Sequence, residues 1–244
     1  MTLLNFGLIT MNTLRTRALS SPLVKKLKAE FPFRHPLLYK VVYGLGLGRP
    51  ALPYQVGMAT FQETGAWDLD PQSCPCDVEL VEYLKQSKIQ GKSIFHFGTG
   101  THHVVGLENQ AFDRPNEIIG ITATAPEHQA YVRLVLKNSE LAKYYKVLFA
   151  DIYTLTANTI PSFDLVTLFH LCEFYLAENA PKIHQTDASL LQLFIDKLNP
   201  NGKILFYKKS FAADGVKPII EASEAAGKLK WVDEYKSLMI YAKA

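Results

Sequence analysis

The chain has 244 residues, 48% of them hydrophobic and 20% charged, with a formal net charge of +3. This composition suits a globular protein with one large α/β domain and an extension, and the charge is too small to argue for nucleic acid. Three cysteines (Cys74, Cys76 and Cys172) make no disulfide framework, and no apolar run approaches the roughly 20 residues of a membrane span.

Along the chain the charge is uneven. Residues 1–50 carry eight Lys or Arg against one acid, Glu30, a net of +7, while the 18 basic and 22 acidic side chains that follow leave −4. Such an arm can meet an anionic partner, above all a membrane surface; a solvated basic helix packed on the domain is the plainer alternative. Residues 1–8 are apolar but lack a preceding basic residue and a clean cleavage site, so a signal peptide is not expected. Ser20-Ser21-Pro22, Pro32, Pro36, Pro50 and Pro53 break the arm into short pieces. The stretch from Tyr43 to Gly48 looks like a glycine loop, but no strand leads into it, which favours a hinge. Residues 1–70 are therefore read as an N-terminal extension and cover segment.

From residue 71 the pattern turns regular. Residues 77–86 predict a short helix with Val78, Val81 and Leu84 on one side. Residues 93–97 predict a buried strand that runs into Gly98-Thr99-Gly100. Strands follow at 117–121 and 146–150, with a helix at 126–138 between them that opens on Pro126 and Glu127. A fourth strand spans 163–170. The clearest helix is 187–198, where Leu191, Phe194, Ile195 and Leu198 keep helical spacing. Residues 199–202 read as a turn into a strand at 203–207, then a helix at 216–226 stops at Gly227. Segments 229–235 and 238–242 pair as an antiparallel edge. Together these predict a doubly wound, mostly parallel seven-stranded α/β sheet over residues 71–244.

In that order the elements resemble the class I S-adenosylmethionine-dependent methyltransferases. Phe95-His96-Phe97-Gly98-Thr99-Gly100-Thr101-His102 is similar to the family's first strand and glycine signature. Gly120-Ile121-Thr122-Ala123-Thr124 stands at the end of the second strand, Phe149-Ala150-Asp151 at the third and Phe163-Asp164-Leu165-Val166 at the fourth. Leu198-Asn199-Pro200-Asn201-Gly202 is similar to the turn before the fifth. The resemblance implies S-adenosylmethionine as cofactor and methyl transfer to a small or lipid-like substrate; no nucleic-acid partner is expected. Three positions depart from the family pattern. His96 and Thr122 stand where acids are usual, and His102 stands for the third glycine.

By the same resemblance, the cofactor contacts would be His96, Gly98, Gly100, His102, Thr122 and Asp151. His170 and Glu173 would be the catalytic pair, His170 as a general base. A threonine hydroxyl offers the ribose one neutral acceptor where a carboxylate offers two charged oxygens, so Thr122→Asp is expected to tighten binding. His96, His102 and His103 each have a packed, structural alternative, and Asp151 and Asp164 can serve as caps or strand ends. Tyr54 and Trp67, in aromatic segments just before the domain, are candidate covers over a sulfonium. The departures keep two alternatives open: a non-catalytic binding or scaffolding module, and a different reaction with another adenosyl-type ligand. A dinucleotide site fits worse, because its third glycine would fall on His103. Cys74-Pro75-Cys76 is a poor zinc half-site, no metal is expected, and free thiols suit a cytoplasmic protein, peripheral to a membrane if the basic arm engages one.

Overall fold

The computed structural model describes residues 66–175 and 183–244. The basic arm, the glycine-rich stretch 43–48, Tyr54 and residues 61–65 lie outside the described residues. Strands β1 (Ser93–Phe97), β2 (Glu117–Thr122), β3 (Tyr145–Phe149), β4 (Phe163–Thr167), β5 (Leu198–Tyr207), β6 (Leu229–Tyr235) and β7 (Leu238–Lys243) form one sheet of order β3-β2-β1-β4-β5-β7-β6. The first five are parallel, and β7 runs antiparallel between β5 and β6. The strand order reverses between β1 and β4, so a crevice is expected beyond their carboxyl ends. This is the methyltransferase-type sheet that the sequence predicts.

The α-helices of the described residues are α1 (Cys76–Gln86), α2 (Val104–Glu108), α3 (Ala125–Lys137), α4 (Leu141–Tyr144), α5 (Asp187–Asp196) and α6 (Ala213–Ala225). β1 alternates its burial between two layers. Phe95 and Phe97 join a core with Phe163, Leu191 and Phe194, and Phe95 lies 4.5 Å, ring centre to ring centre, from Phe194. Ile94 faces the other way, into a core with Leu80 and Leu84 of α1, Val105 of α2 and Tyr145. Each such fully buried apolar side chain contributes roughly 1.5–3 kcal/mol over its exposed state.

Several boundaries differ from the expected ones for local reasons. Residues 199–202 are not a free turn but a bulge inside β5, with Phe163 paired to Leu198 and Leu165 to Lys203. Asn201 takes a left-handed φ of 64° there. Asn199 Nδ2 donates to Asp164 Oδ1 (3.1 Å), and Ser93 N and Oγ donate to Asp164 Oδ2 (2.9 and 3.1 Å). Asp164 thus ties β1, β4 and β5 together at their entry ends, away from the crevice. At its far end α6 closes as anticipated: Gly227 has φ 66°, Gly227 N bonds Glu224 O, and Lys228 N bonds Ser223 O.

Candidate functional site

β1 delivers the chain into a turn that only glycine serves well. Gly98 and Gly100 have φ of 86° and 55°. A Cβ on Gly98 would lie 2.6 Å from His170 Cδ2; one on Gly100 would lie 2.8 Å from the Trp67 carbonyl oxygen. The turn is therefore packed from both sides by its own protein. Trp67 C=O accepts from Thr101 N (2.8 Å) and from Thr101 Oγ1 (3.1 Å). The cover segment expected around Trp67 reaches the turn through its backbone, while the Trp67 ring is 45% exposed.

At the end of β1, His96 is buried and points toward α1 rather than into the crevice. Its Nδ1 lies 2.9 Å from Thr167 Oγ1 and its Nε2 lies 3.5 Å from Asp77 Oδ1. His102 folds under the turn in the same direction, with Nε2 3.7 Å from Asp77 Oδ2 and Nδ1 accepting from Val104 N (3.3 Å). Burial opposes the charge on Asp77, but His96 first, then His102 and His170, outweigh it and hold the carboxyl below its usual range. Burial lowers the pKa of His102, against the pull of Asp77. The acid expected on β1 thus enters from the first turn of α1, and both histidines are directed to it.

A parallel exchange occurs at the end of β2. Thr122 Oγ1 donates to Glu127 Oε2 (2.5 Å) and accepts from Thr124 N (3.1 Å). Glu127 Oε1 accepts from Trp67 N (3.0 Å). Burial raises the Glu127 pKa against these bonds. The Glu127 main-chain oxygen lies 2.9 Å from His103 Nε2, and His103 Nδ1 lies 2.9 Å from Tyr145 Oη. A carbonyl only accepts, so Nε2 carries the proton and Nδ1 accepts from the tyrosine. Burial pushes the His103 pKa down to about 4. This histidine is a packed strut with a left-handed φ of 47°.

Asp151, just past β3, accepts from Tyr153 N (2.9 Å) and caps the short 3-10 turn Ile152–Thr154; burial raises its pKa. Ala150 N donates to Thr122 O (3.0 Å), which sets Asp151 beside the end of β2. Beyond β4, His170 Nδ1 lies 3.0 Å from Glu173 Oε2, and Glu173 Oε1 accepts from Ser210 Oγ (2.6 Å). Burial works against the imidazolium, yet the Glu173 bond and charge win, so the His170 pKa is raised. Glu173 is correspondingly lowered, His170 overcoming its burial. The rings of Phe97 and Phe174 lie 5.9 and 6.2 Å from His170.

Gly98, Gly100, Thr122, Asp151 and His170 therefore gather at the carboxyl ends of β1 to β4. Asp77, Thr101 and Glu127 join them and were not singled out as site residues from sequence. The signal for Glu127 was present: a carboxylate in the first turn of α3, five positions after Thr122, can fold back to the strand end. Its reading as an ordinary first-turn acid hid it. Among the described residues no group of three or more His, Cys, Asp or Glu could hold a metal, and no helix is long and apolar enough to cross a membrane.

No protein-family model matches the sequence, and no curated protein matches it. Solved structures share the fold at low identity. TrmN from Thermus thermophilus is 13% identical with a TM-score of 0.46 over 68% of this chain and 48% of that one, so this chain spans about half its length. The N-methyltransferase NodS from Bradyrhizobium japonicum, in complex with S-adenosylhomocysteine, is 11% identical with a TM-score of 0.49, covering 71% of this chain and 90% of that one. Magnesium protoporphyrin IX methyltransferase from Synechocystis, with bound S-adenosylmethionine, is 10% identical with a TM-score of 0.49, covering 70% and 79%. These likenesses concern the fold.

Proposed function

We propose that the crevice beyond β1 to β4 binds S-adenosylmethionine and that the protein transfers its methyl group to a small or lipid-like acceptor. The observation that carries this reading is the buried carboxylate of Glu127 at the end of β2. It receives a peptide N–H from Trp67, whose carbonyl accepts from the glycine turn at Thr101. A donor to the acid and an acceptor for the turn are what a ribose hydroxyl and the carboxylate end of an adenosyl amino acid present. The residues thus fit the group, and such a ligand would take over both bonds from the Trp67 peptide. Glu127, rather than Thr122, is the ribose acceptor in this reading, with Thr122 orienting it and Asp151 on the adenine side.

When bound, S-adenosylmethionine supplies a sulfonium-activated methyl group. Glu173 fixes His170 through Nδ1, and Nε2 lies over Gly98. In the neutral ring that nitrogen accepts the proton that the methyl acceptor releases. The faces of Phe97 and Phe174 narrow access for water and favour a cationic neighbour. A non-catalytic module, or a different reaction on an adenosyl-type ligand, draws on one observation: the Trp67 backbone already bridges the two binding groups.

Calorimetry with S-adenosylhomocysteine tests the reading. Wild-type protein should bind, and Glu127→Ala should lose tenfold or more in affinity, about 1–3 kcal/mol for a charge-assisted hydrogen bond. A folded wild type that binds nothing sinks the proposal. Binding that ignores the substitution removes Glu127 from the site, and binding without turnover of any acceptor favours the module.

A further inference from the structure

We propose that Cys74 and Cys76 are a reversible dithiol–disulfide pair, a redox modification site at the start of α1. Their sulfurs lie 3.5 Å apart, already in contact. Pro75 between them has φ −77° and ψ 0°, a helical conformation. Helix geometry sets residues two apart at a Cα separation of about 5.4 Å, within the roughly 4.4–6.8 Å that a disulfide spans. Side-chain rotation, not backbone movement, can therefore close the bond. The usual objection to a Cys-x-Cys disulfide, an extended backbone that holds the thiols apart, does not apply here.

The two thiols are unequal in a way that suits exchange. Cys74 is partly exposed and Cys76 is buried. The hydrogen bond from Cys76 is the largest influence on Cys74 and lowers its pKa to about 7, so a substantial fraction is thiolate at neutral pH. The same bond, with burial, pushes the Cys76 thiol up. Cys172 stands apart: burial pushes it up to about 12, and its nitrogen bonds Asp187 Oδ1.

The oxidant is a low-molecular-weight disulfide such as glutathione disulfide. Cys74 thiolate attacks one of its sulfurs, forming a mixed disulfide and releasing one glutathione thiolate. With the Cys74 charge gone, the Cys76 thiol, its sulfur 3.7 Å from Asp77 Oδ1, loses its proton to solvent base. Cys76 then attacks the Cys74 sulfur and releases the second thiolate. The protein loses two electrons and two protons, and the oxidant becomes two glutathiones. This pair does not depend on the ligand reading above.

The test equilibrates the full chain in glutathione redox buffers, then quenches with acid, alkylates, and reads intact mass and a peptide map. The expected product carries one alkyl group, on Cys172, where the reduced protein carries three, and a dithiol reductant reverses it. Cys172→Ser should convert like wild type, and Cys74→Ser should not convert. A glutathione adduct on Cys74 that never closes would overturn the proposal. So would pairing of either thiol with Cys172, or stoichiometric zinc that protects both thiols from oxidation. The wild-type peptide map decides even if the serine variant fails to fold.

Discussion

At the end of β1 the strand residue is His96 and the carboxylate comes from α1 as Asp77; at the end of β2 the strand residue is Thr122 and the carboxylate comes from α3 as Glu127. In both corners an acid on the first turn of a helix takes the place expected for an acid on the strand. Their partners differ. Asp77 faces two imidazoles, His96 buried and His102 partly buried, and His96 Nε2 meets it at 3.5 Å without a hydrogen bond. Glu127 holds a hydroxyl and one peptide N–H. A buried carboxylate at which two imidazoles point is fixed in place, because removing it leaves polar groups without a partner in a low-dielectric interior. A carboxylate compensated by a hydroxyl and a peptide group can exchange those donors for a ligand's at small cost. On the proposed reading the first corner is structural and the second binds the ligand.

The largest expected effect separates the two acids by stability. Asp77→Ala should cost about 2–3 kcal/mol, as for buried polar groups left without an acceptor. Glu127→Ala should cost about 1 kcal/mol, the net worth of ordinary hydrogen bonds. Denaturant midpoints of the two variants measure the contrast. Equal losses would break the distinction between a structural corner and a binding corner.

Acid sharpens the same comparison, because His103 braces the second corner at the Glu127 carbonyl. Its folded pKa, about 4, lies below the ordinary value of 6.5. A depressed pKa means that the folded state favours the neutral ring. Its contribution is complete above pH 6.5 and is lost as pH falls toward 4. The linkage amounts to about 3 kcal/mol. Stability measured from pH 7 to pH 4 should fall less steeply in His103→Gln than in wild type. Parallel curves would remove the strut.

The fold was legible because hydrophobic runs and turn residues each report on one element. Ser93–Phe97, the helical spacing of Leu191, Phe194 and Ile195, and Gly227 as a helix stop needed no tertiary information. The bulge at 199–202 was not legible, since it depends on which strand Leu198 pairs with. The site was half legible for the same reason. Gly98, Gly100 and His170 fall at strand ends that the pattern locates. Asp77 and Glu127 occupy helix first turns, where acids are favoured on any helix by the macrodipole, so a local reading explains them completely and stops too early. For His96 the strand alternation tells only that it opposes Phe95, which leaves a ligand contact and a packed histidine equally open. That it opposes Asp77 is a fact of packing.

The smallest effect has the sharpest sign. Read from sequence, Thr122→Asp supplies a missing acceptor and tightens an adenosyl ligand. The proposed role of Glu127 gives the opposite sign, because Thr122 Oγ1 is 2.5 Å from Glu127 Oε2 and acts as its donor. An aspartate there replaces a donor with a second carboxylate against a carboxylate whose pKa burial already raises. Two like charges at that distance do not both ionise readily. The substitution should therefore weaken S-adenosylhomocysteine binding by about tenfold and cost about 1–2 kcal/mol of stability at pH 7. One carboxyl of the new pair has a raised pKa in the folded state, so the penalty appears as pH rises through the ordinary carboxyl range and should shrink near pH 4.5. Denaturant titrations at the two pH values, with calorimetry at pH 7, read both effects. Tighter binding with no stability change would mean that Thr122 itself, and not Glu127, faces the ligand.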